Sequence, residues 1–266
     1  MSDGISETID AFHRGRFHII QPKGRGHRAG MDAMLLASLV ADDRACRVAD
    51  LGAGAGAAGM AVAARLEKAQ VTLYERSPEM AEFARRSLEL PDNAAFSARV
   101  AVLEADVTLR AKARIEAGLP DDHFHHVIMN PPYNDAGDRR TPDALKAEAH
   151  AMTDGLFEDW IRTAGAIMIP GGQLSLIARP QSVAEIIAAC GSRFGGLEIT
   201  LIHPRPGEDA VRMLVTAIKG SRARLSFRAP LIMHETGSHA FTPFVDDLNN
   251  GRAAYSRNVR AIRPGL

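Results

Sequence analysis

The apolar run Cys46-Arg47-Val48-Ala49-Asp50-Leu51 passes directly into Gly52-Ala53-Gly54-Ala55-Gly56-Ala57-Ala58-Gly59 and then into an alanine-rich stretch reaching Leu66. A buried strand that turns on glycines into a helix is the opening unit of a parallel α/β sheet. Glycines at that turn let the backbone approach a ligand and leave the helix N-terminus open to it. The glycine pattern alone is ambiguous, because Gly52-x-Gly54-x-x-Ala57 also satisfies the dinucleotide fingerprint. Asp50, two residues before the first glycine, separates the two readings: a carboxylate beside the turn repels a pyrophosphate and attracts a cationic group or an amine.

Adenosylmethionine carries such an amine and no phosphate. Two further units repeat the arrangement. Gln70-Val71-Thr72-Leu73-Tyr74-Glu75 is a second strand ending in an acid, where Glu75 is placed to take the hydroxyls of a ribose. An acid at that point marks a nucleoside without saying which one. Ser77 caps the next helix, with Pro78 at its first position and Met80, Phe83, Ala84 and Leu88 on its buried face. Arg99 to Asp106 is a third strand, whose terminal Asp106 can accept from an adenine amino group. Each acid taken singly reads equally as a strand-end surface carboxylate.

The fourth strand ends in an amide. His126-Val127-Ile128-Met129 is followed by Asn130-Pro131-Pro132-Tyr133, and two prolines with fixed φ and no N–H stop the strand and hold the backbone rigid. Asn130 therefore stands at a strand's carboxyl end, where open α/β sheets bind ligands. Its side-chain oxygen and a nearby carbonyl can accept both hydrogens of a planar amino group, and Tyr133 offers a flat face to stack on it. An Asn turn closed by Pro-Pro, with an ordinary core tyrosine, is the structural alternative.

These motifs resemble those of class I S-adenosylmethionine-dependent methyltransferases. More narrowly, the chain is similar to the bacterial adenine-N6 methyltransferases that act on valine tRNA beside the anticodon. Those proteins carry a Gly-x-Asp-x-x-Leu-Leu helix before the first strand, matched here by Gly30-Met31-Asp32-Ala33-Met34-Leu35-Leu36. Met31 stands where the family has a small hydroxyl residue, and an acidic insert follows Tyr133. The resemblance implies a seven-stranded Rossmann-like sheet, mostly parallel with an antiparallel last strand. It implies adenosylmethionine held by Asp50, Gly52, Gly54, Gly56, Glu75, Asp106, Asn130 and Asp32. The acceptor amine falls to Asn130, Pro131, Pro132 and Tyr133, and tRNA is the implied substrate. Release-factor glutamine methyltransferases use the same tetrapeptide on a side-chain amide. The lack of a separate N-terminal helical domain counts against that substrate.

The remaining strands read as Gln173–Ala178, Gly196–Pro204 and Val211–Ile218, the last antiparallel through the Pro204-Arg205-Pro206-Gly207 link. Gly155–Ile169 is an amphipathic helix stopped by Pro170-Gly171-Gly172, with Trp160 in the core. Residues 134–153, polar and rich in turn residues, read as a loop over the acceptor site, with Arg139 and Arg140 as phosphate or solvent contacts. The organisation expected is an N-terminal arm and helix over 1–44, the methyltransferase domain over 45–220 and a basic extension over 221–266. The extension's Arg222, Arg224, Arg228, Arg252, Arg257, Arg260 and Arg263 alternate with aromatics, as an RNA face, a solvated tail or an oligomer contact would.

Lys plus Arg and Asp plus Glu are both 32, which excludes whole-surface steering toward nucleic acid but allows a local basic patch. Two cysteines, Cys46 and Cys190, form no disulfide or metal pattern, and His123, His125 and His126 lack a partner at ligand spacing, so no metal is expected. No signal peptide or membrane span is legible, giving a cytoplasmic expectation.

Overall fold

The computed structural model describes residues 6–23, 29–41, 44–132 and 155–258. The chain opens with a hairpin of β1 (Glu7–Phe12) and β2 (Phe17–Pro22), followed by α1 (Met31–Ser38). Alternation begins with β3 (Cys46–Leu51), α2 (Ala57–Arg65), β4 (Ala69–Glu75), α3 (Pro78–Leu88), the single turn α4 (Ala94–Ser97) and β5 (Val100–Glu104). It continues through α5 (Ala111–Glu116), β6 (Phe124–Met129), α6 (Leu156–Ile167), β7 (Met168–Ala178), α7 (Val183–Cys190), β8 (Phe194–His203) and β9 (Arg212–Lys219). The two-residue strands β10 (Ser226–Phe227) and β11 (Leu231–Ile232) and the helix α8 (Pro243–Asn249) complete the described chain.

The main sheet runs β10-β8-β9-β7-β6-β3-β4-β5, with β11 also on β8. Its seven long strands are those expected. β3 to β7 pair in parallel, and β9 lies antiparallel between β7 and β8. The chain goes from β3 outward to β5, then returns to β6 on the other side of β3. Strand order reverses between β3 and β6, and a crevice opens above the tips of that pair. Alternating β-branched and apolar residues bury both faces of these strands. One core packs β2, α1, α2 and α3 on one face, and a second packs α6 and α7 around Phe157, Trp160 and Phe194 on the other.

Three expectations change. The arm expected at the N-terminus is a hairpin over residues 7–22, whose Phe17, Ile19 and Ile20 are buried against the first core. The hairpin is fixed by polar contacts as well, since Ile20 N–H donates to Ser87 Oγ and Asn93 exchanges hydrogen bonds with the His18 backbone. Pro170-Gly171-Gly172 does not separate α6 from the fifth strand. β7 begins at Met168 and carries those residues through a register shift between Phe124 and His126. In the basic C-terminal part, Arg228 and Arg257 turn inward onto buried Glu198 instead of facing solvent. Arg25, Arg28, Tyr133, Arg139, Arg140, Arg260 and Arg263 lie outside the described residues.

Candidate active site

Above the β3/β6 tips lies a cavity of about 650 Å³, within the usual range of small-molecule sites. Asp50, Gly52, Gly54, Glu75, Asp106, Asn130, Pro131, Pro132 and Asp32 all line it. The topology assembles them in one row, because parallel strands place their carboxyl ends on one edge.

The glycines serve different ends. Gly52 has φ +69°, and a Cβ there would run into the indole of Trp160. Gly56 has φ +90°, and its Cβ would lie 2.8 Å from Leu73 Cδ1 and 2.9 Å from Met60 Cε. Gly54, at φ +56°, opens on the cavity, with Met80 Cε at 3.8 Å as its nearest neighbour. A side chain at Gly54 would enter the cavity, whereas at Gly52 and Gly56 it would meet protein.

The acids are anchored by backbone donors. Gly59 N–H donates to Asp50 Oδ2 at 2.8 Å. Gly54 N–H donates to Glu75 Oε2 at 2.8 Å, and Ser77 N–H to Oε1 at 2.7 Å. Glu75 thus ties the tip of β4 to the glycine loop of β3. Asp106 Oδ1 accepts from the Thr108 N–H and hydroxyl, which shapes the loop after β5. Asp50 is only 3% exposed, and burial pushes its carboxyl up to about 7. The Gly59 hydrogen bond opposes that rise and the charge of Glu75 adds to it.

Asn130 is half-buried on the cavity wall, with Pro131 buried behind it. Asp32 also reaches the cavity, and its carboxylate pairs with Arg212, whose Nε donates at 2.9 Å. Sequence reasoning passed over Trp160, Arg179 and Arg212 as wall residues. Two of them had a signal: Arg179 follows the fifth strand directly, and Arg212 opens an antiparallel strand, so both fall on the ligand-binding edge. Trp160 is buried as expected, yet its ring also closes the cavity beneath Gly52. Among the three histidines, His125 Nδ1 accepts from the Arg47 N–H, a contact within the sheet. Cys46 and Cys190 are buried free thiols.

A doubly wound sheet with a glycine turn, strand-tip acids and an Asn-Pro-Pro corner around one cavity defines a class I adenosylmethionine-dependent methyltransferase. The methyltransferase small domain model matches residues 28–199, and the chain belongs to that family. It is 27% identical over 208 residues to a tRNA1(Val) (adenine(37)-N6)-methyltransferase of Pedobacter heparinus, covering 77% of this chain and 83% of that protein. It is 32% identical over 149 residues to a release factor glutamine methyltransferase of Deinococcus radiodurans, covering 53% of this chain and 49% of the relative. The crystal structure of a predicted O-methyltransferase from Agrobacterium tumefaciens superposes with a TM-score of 0.76 at 85% identity, covering 86% of this chain and all of that one.

Family membership implies adenosylmethionine as cofactor, and the residues present fit it. The cavity is large enough, Gly54 leaves room along the loop, and carboxylates come from three successive strand tips. Among the described residues no helix is long and apolar enough to cross a membrane.

Proposed function

We propose that this enzyme methylates the exocyclic N6 of an adenine in tRNA. The observation that carries the reading is the placement of Asn130 on the wall of the same cavity as Gly54, Glu75 and Asp106. The Pedobacter relative supports the choice of acceptor.

Bound adenosylmethionine would supply a methyl group on a sulfonium: an amine lone pair forms the N–C bond as the S–C bond breaks, S-adenosylhomocysteine leaves, and the nitrogen gives up one proton to water. An adenine amine is a weak nucleophile because its lone pair is shared with the ring. Asn130 Oδ1 and the Pro131 carbonyl each accept one N–H, drawing the nitrogen toward tetrahedral geometry and freeing that lone pair. Catalysis is then orientation and hydrogen bonding by groups already fixed at a strand tip. Glu75 and Asp106 would hold the nucleoside end of the cofactor, and Asp50 its amino group. Trp160 and Pro131 limit access of water from beneath.

The test is Asn130→Ala assayed with tRNA and tritiated adenosylmethionine, together with calorimetry of cofactor binding. Transfer is expected to fall by at least a hundredfold with cofactor affinity changed less than threefold. Equal losses in both would defeat the assignment of Asn130. The Deinococcus relative supports a second reading, a glutamine amide as acceptor. Mass spectrometry of tRNA from a deletion strain separates the two, because only the first predicts a missing N6-methyladenosine.

A further inference from the structure

Charge along the cavity changes sign with strand order. The sheet places β9, β7, β6, β3, β4 and β5 side by side in that sequence. On the β3, β4 and β5 tips stand the carboxylates of Asp50, Glu75 and Asp106. Past Asn130 on β6, the wall is formed by Arg179 and Arg212. Ala178 is opposite Met213 in the antiparallel β7/β9 ladder, so Arg179 and Arg212, the next residues outward, come off neighbouring strands at the same edge.

Two guanidinium groups on adjacent, half-buried strand ends make this end of the wall positive. Arg212 Nε donates to Asp32 and its Nη1 to the Val211 carbonyl, and these contacts fix the guanidinium against the wall. Arg76, the other arginine on the wall, is exposed and sits beside Glu75 at the opposite end. Asp159, also on the wall, is bound to Arg110 and Arg162. The acceptor side of Asn130 is thus the end of the cavity with paired, partly buried cations.

We infer that Arg179 and Arg212 bind a phosphodiester adjoining the methyl-accepting base, with Asp32 positioning Arg212 for it. This deepens the tRNA reading and rests on it. A planar guanidinium matches phosphate oxygens bidentately, and partial burial strengthens the charge-assisted bonds. A glutamine side chain on a protein loop brings no anion to that place. The pair therefore selects nucleic acid over protein amide at the point where both would present the same planar NH2.

The experiment uses the full chain, with an anticodon stem-loop transcript carrying the target adenine and S-adenosylhomocysteine in the cofactor site. Binding is measured by fluorescence anisotropy between 50 and 200 mM salt for wild type, Arg179→Gln, Arg212→Gln and Arg212→Lys. Each glutamine variant is expected to flatten the slope of log Kd against log salt by about 1, and Arg212→Lys to restore most of it. A second transcript carries neutral methylphosphonate linkages beside the target adenine, which tests the same contact without altering the protein. It should weaken wild-type binding about as much as Arg212→Gln does, and add little to the loss in that variant. Unchanged slopes in both glutamine variants, or neutral linkages that cost nothing, overturn the inference while wild-type methylation of the transcript keeps the tRNA reading intact. A wild-type enzyme that methylates no tRNA at all overturns the reading and the inference with it.

Discussion

The indole of Trp160 stands where a Cβ on Gly52 would be, with the ring carbon Cζ3 3.0 Å from that point and Cη2 closer still. The glycine loop is therefore seated on α6, a helix from the other half of the sheet, and its shape depends on that seat. Gly54, two residues on, has no such neighbour and looks into the cavity. The two glycines should consequently fail in different ways.

Gly52→Ala combines a left-handed backbone with a clash against a buried ring. The expected cost is about 2–4 kcal/mol of stability, enough to lower the melting temperature by roughly 5–10 °C. Gly54→Ala meets no protein atom closer than ordinary contact, so about 1 kcal/mol is expected from φ alone. Its larger effect should be on the ligand, with adenosylmethionine affinity falling at least tenfold. Thermal melts and calorimetry on both variants check the split. Matching losses of stability and affinity in the two proteins would show that the loop responds as a unit.

Cofactor binding is expected to depend on pH through Asp50. Its folded value of about 7 lies above the ordinary aspartate value of 3.8, so the cofactor-free protein holds an extra proton between those limits. The stability tied to that proton is fully present below about 4 and is lost as pH rises through 7. Asp50→Asn removes the titration, so the cofactor-free variant should gain on the wild type at pH 8, by an amount on the order of 4 kcal/mol. A cationic amine beside the carboxylate favours its ionised form. Adenosylmethionine affinity should therefore rise as pH rises toward 7, with up to one proton released per cofactor bound at pH 6. Calorimetry in two buffers of different ionisation enthalpy counts that proton, and a count of zero disproves the contact.

The βα alternation and the strand tips were legible because each rests on a local rule. Apolar runs ending in Asp50, Glu75, Asp106 and Asn130 marked the strands and their ligand-bearing ends in one pattern. Pairings between distant segments left no such mark. Nothing local announces that β2 is held by Ser87 and Asn93, so the N-terminal arm carried no sign of where Phe17, Ile19 and Ile20 pack. Arg228 and Arg257 were counted as surface charge because their partner, Glu198, lies in a strand whose pattern is otherwise apolar. That Gly52 and Gly56 also pack against side chains of α6, β4 and α2 left no local mark either. Local sequence records which residues reach the edge, whereas what they touch there is fixed by the tertiary fold.

Glu198 should prove necessary for keeping the C-terminal segment in place. It is 3% exposed, accepts from the Asn258 N–H and faces Arg257 at 3.5 Å and Arg228 at 3.7 Å. Arg257 also bonds Thr216 and the Gly196 carbonyl, and Arg228 lies over the Tyr255 ring at 4.3 Å. Removing the carboxylate leaves two cations near each other with little solvent. Glu198→Ala is expected to cost about 3–5 kcal/mol in urea unfolding and to expose the chain after Asn250 to limited proteolysis. Glu198→Gln, which keeps an acceptor, should lose less. A Glu198→Ala protein as stable and protease-resistant as wild type would mean that Tyr255 and its Ser38 hydrogen bond hold the segment unaided.

His13 sets an acid limit on stability. It lies at the hairpin turn with φ +48°, 4% exposed, its ring edge-on to Phe17 with centroids 5.0 Å apart. A Cβ on Gly251 would come within 2.7 Å of the ring, so the C-terminal segment closes over it. Its Nδ1 has no hydrogen-bond partner among the described residues, and protonation would place an unsolvated cation there. Burial pushes its value down to about 4, helped by the charges of Arg16 and Arg65. The folded value lies below the unfolded one near 6.5, so the unfolded chain binds the extra proton in between. Stability is complete above 6.5 and is lost as pH falls toward 4, by about 3 kcal/mol over the window. His13→Asn tolerates the left-handed backbone and cannot titrate. It should be less stable at pH 7 through lost packing, but its unfolding free energy should fall less steeply between pH 6.5 and 4.5, by close to one proton. Parallel curves for variant and wild type would assign the acid sensitivity to other groups and leave His13 as packing alone.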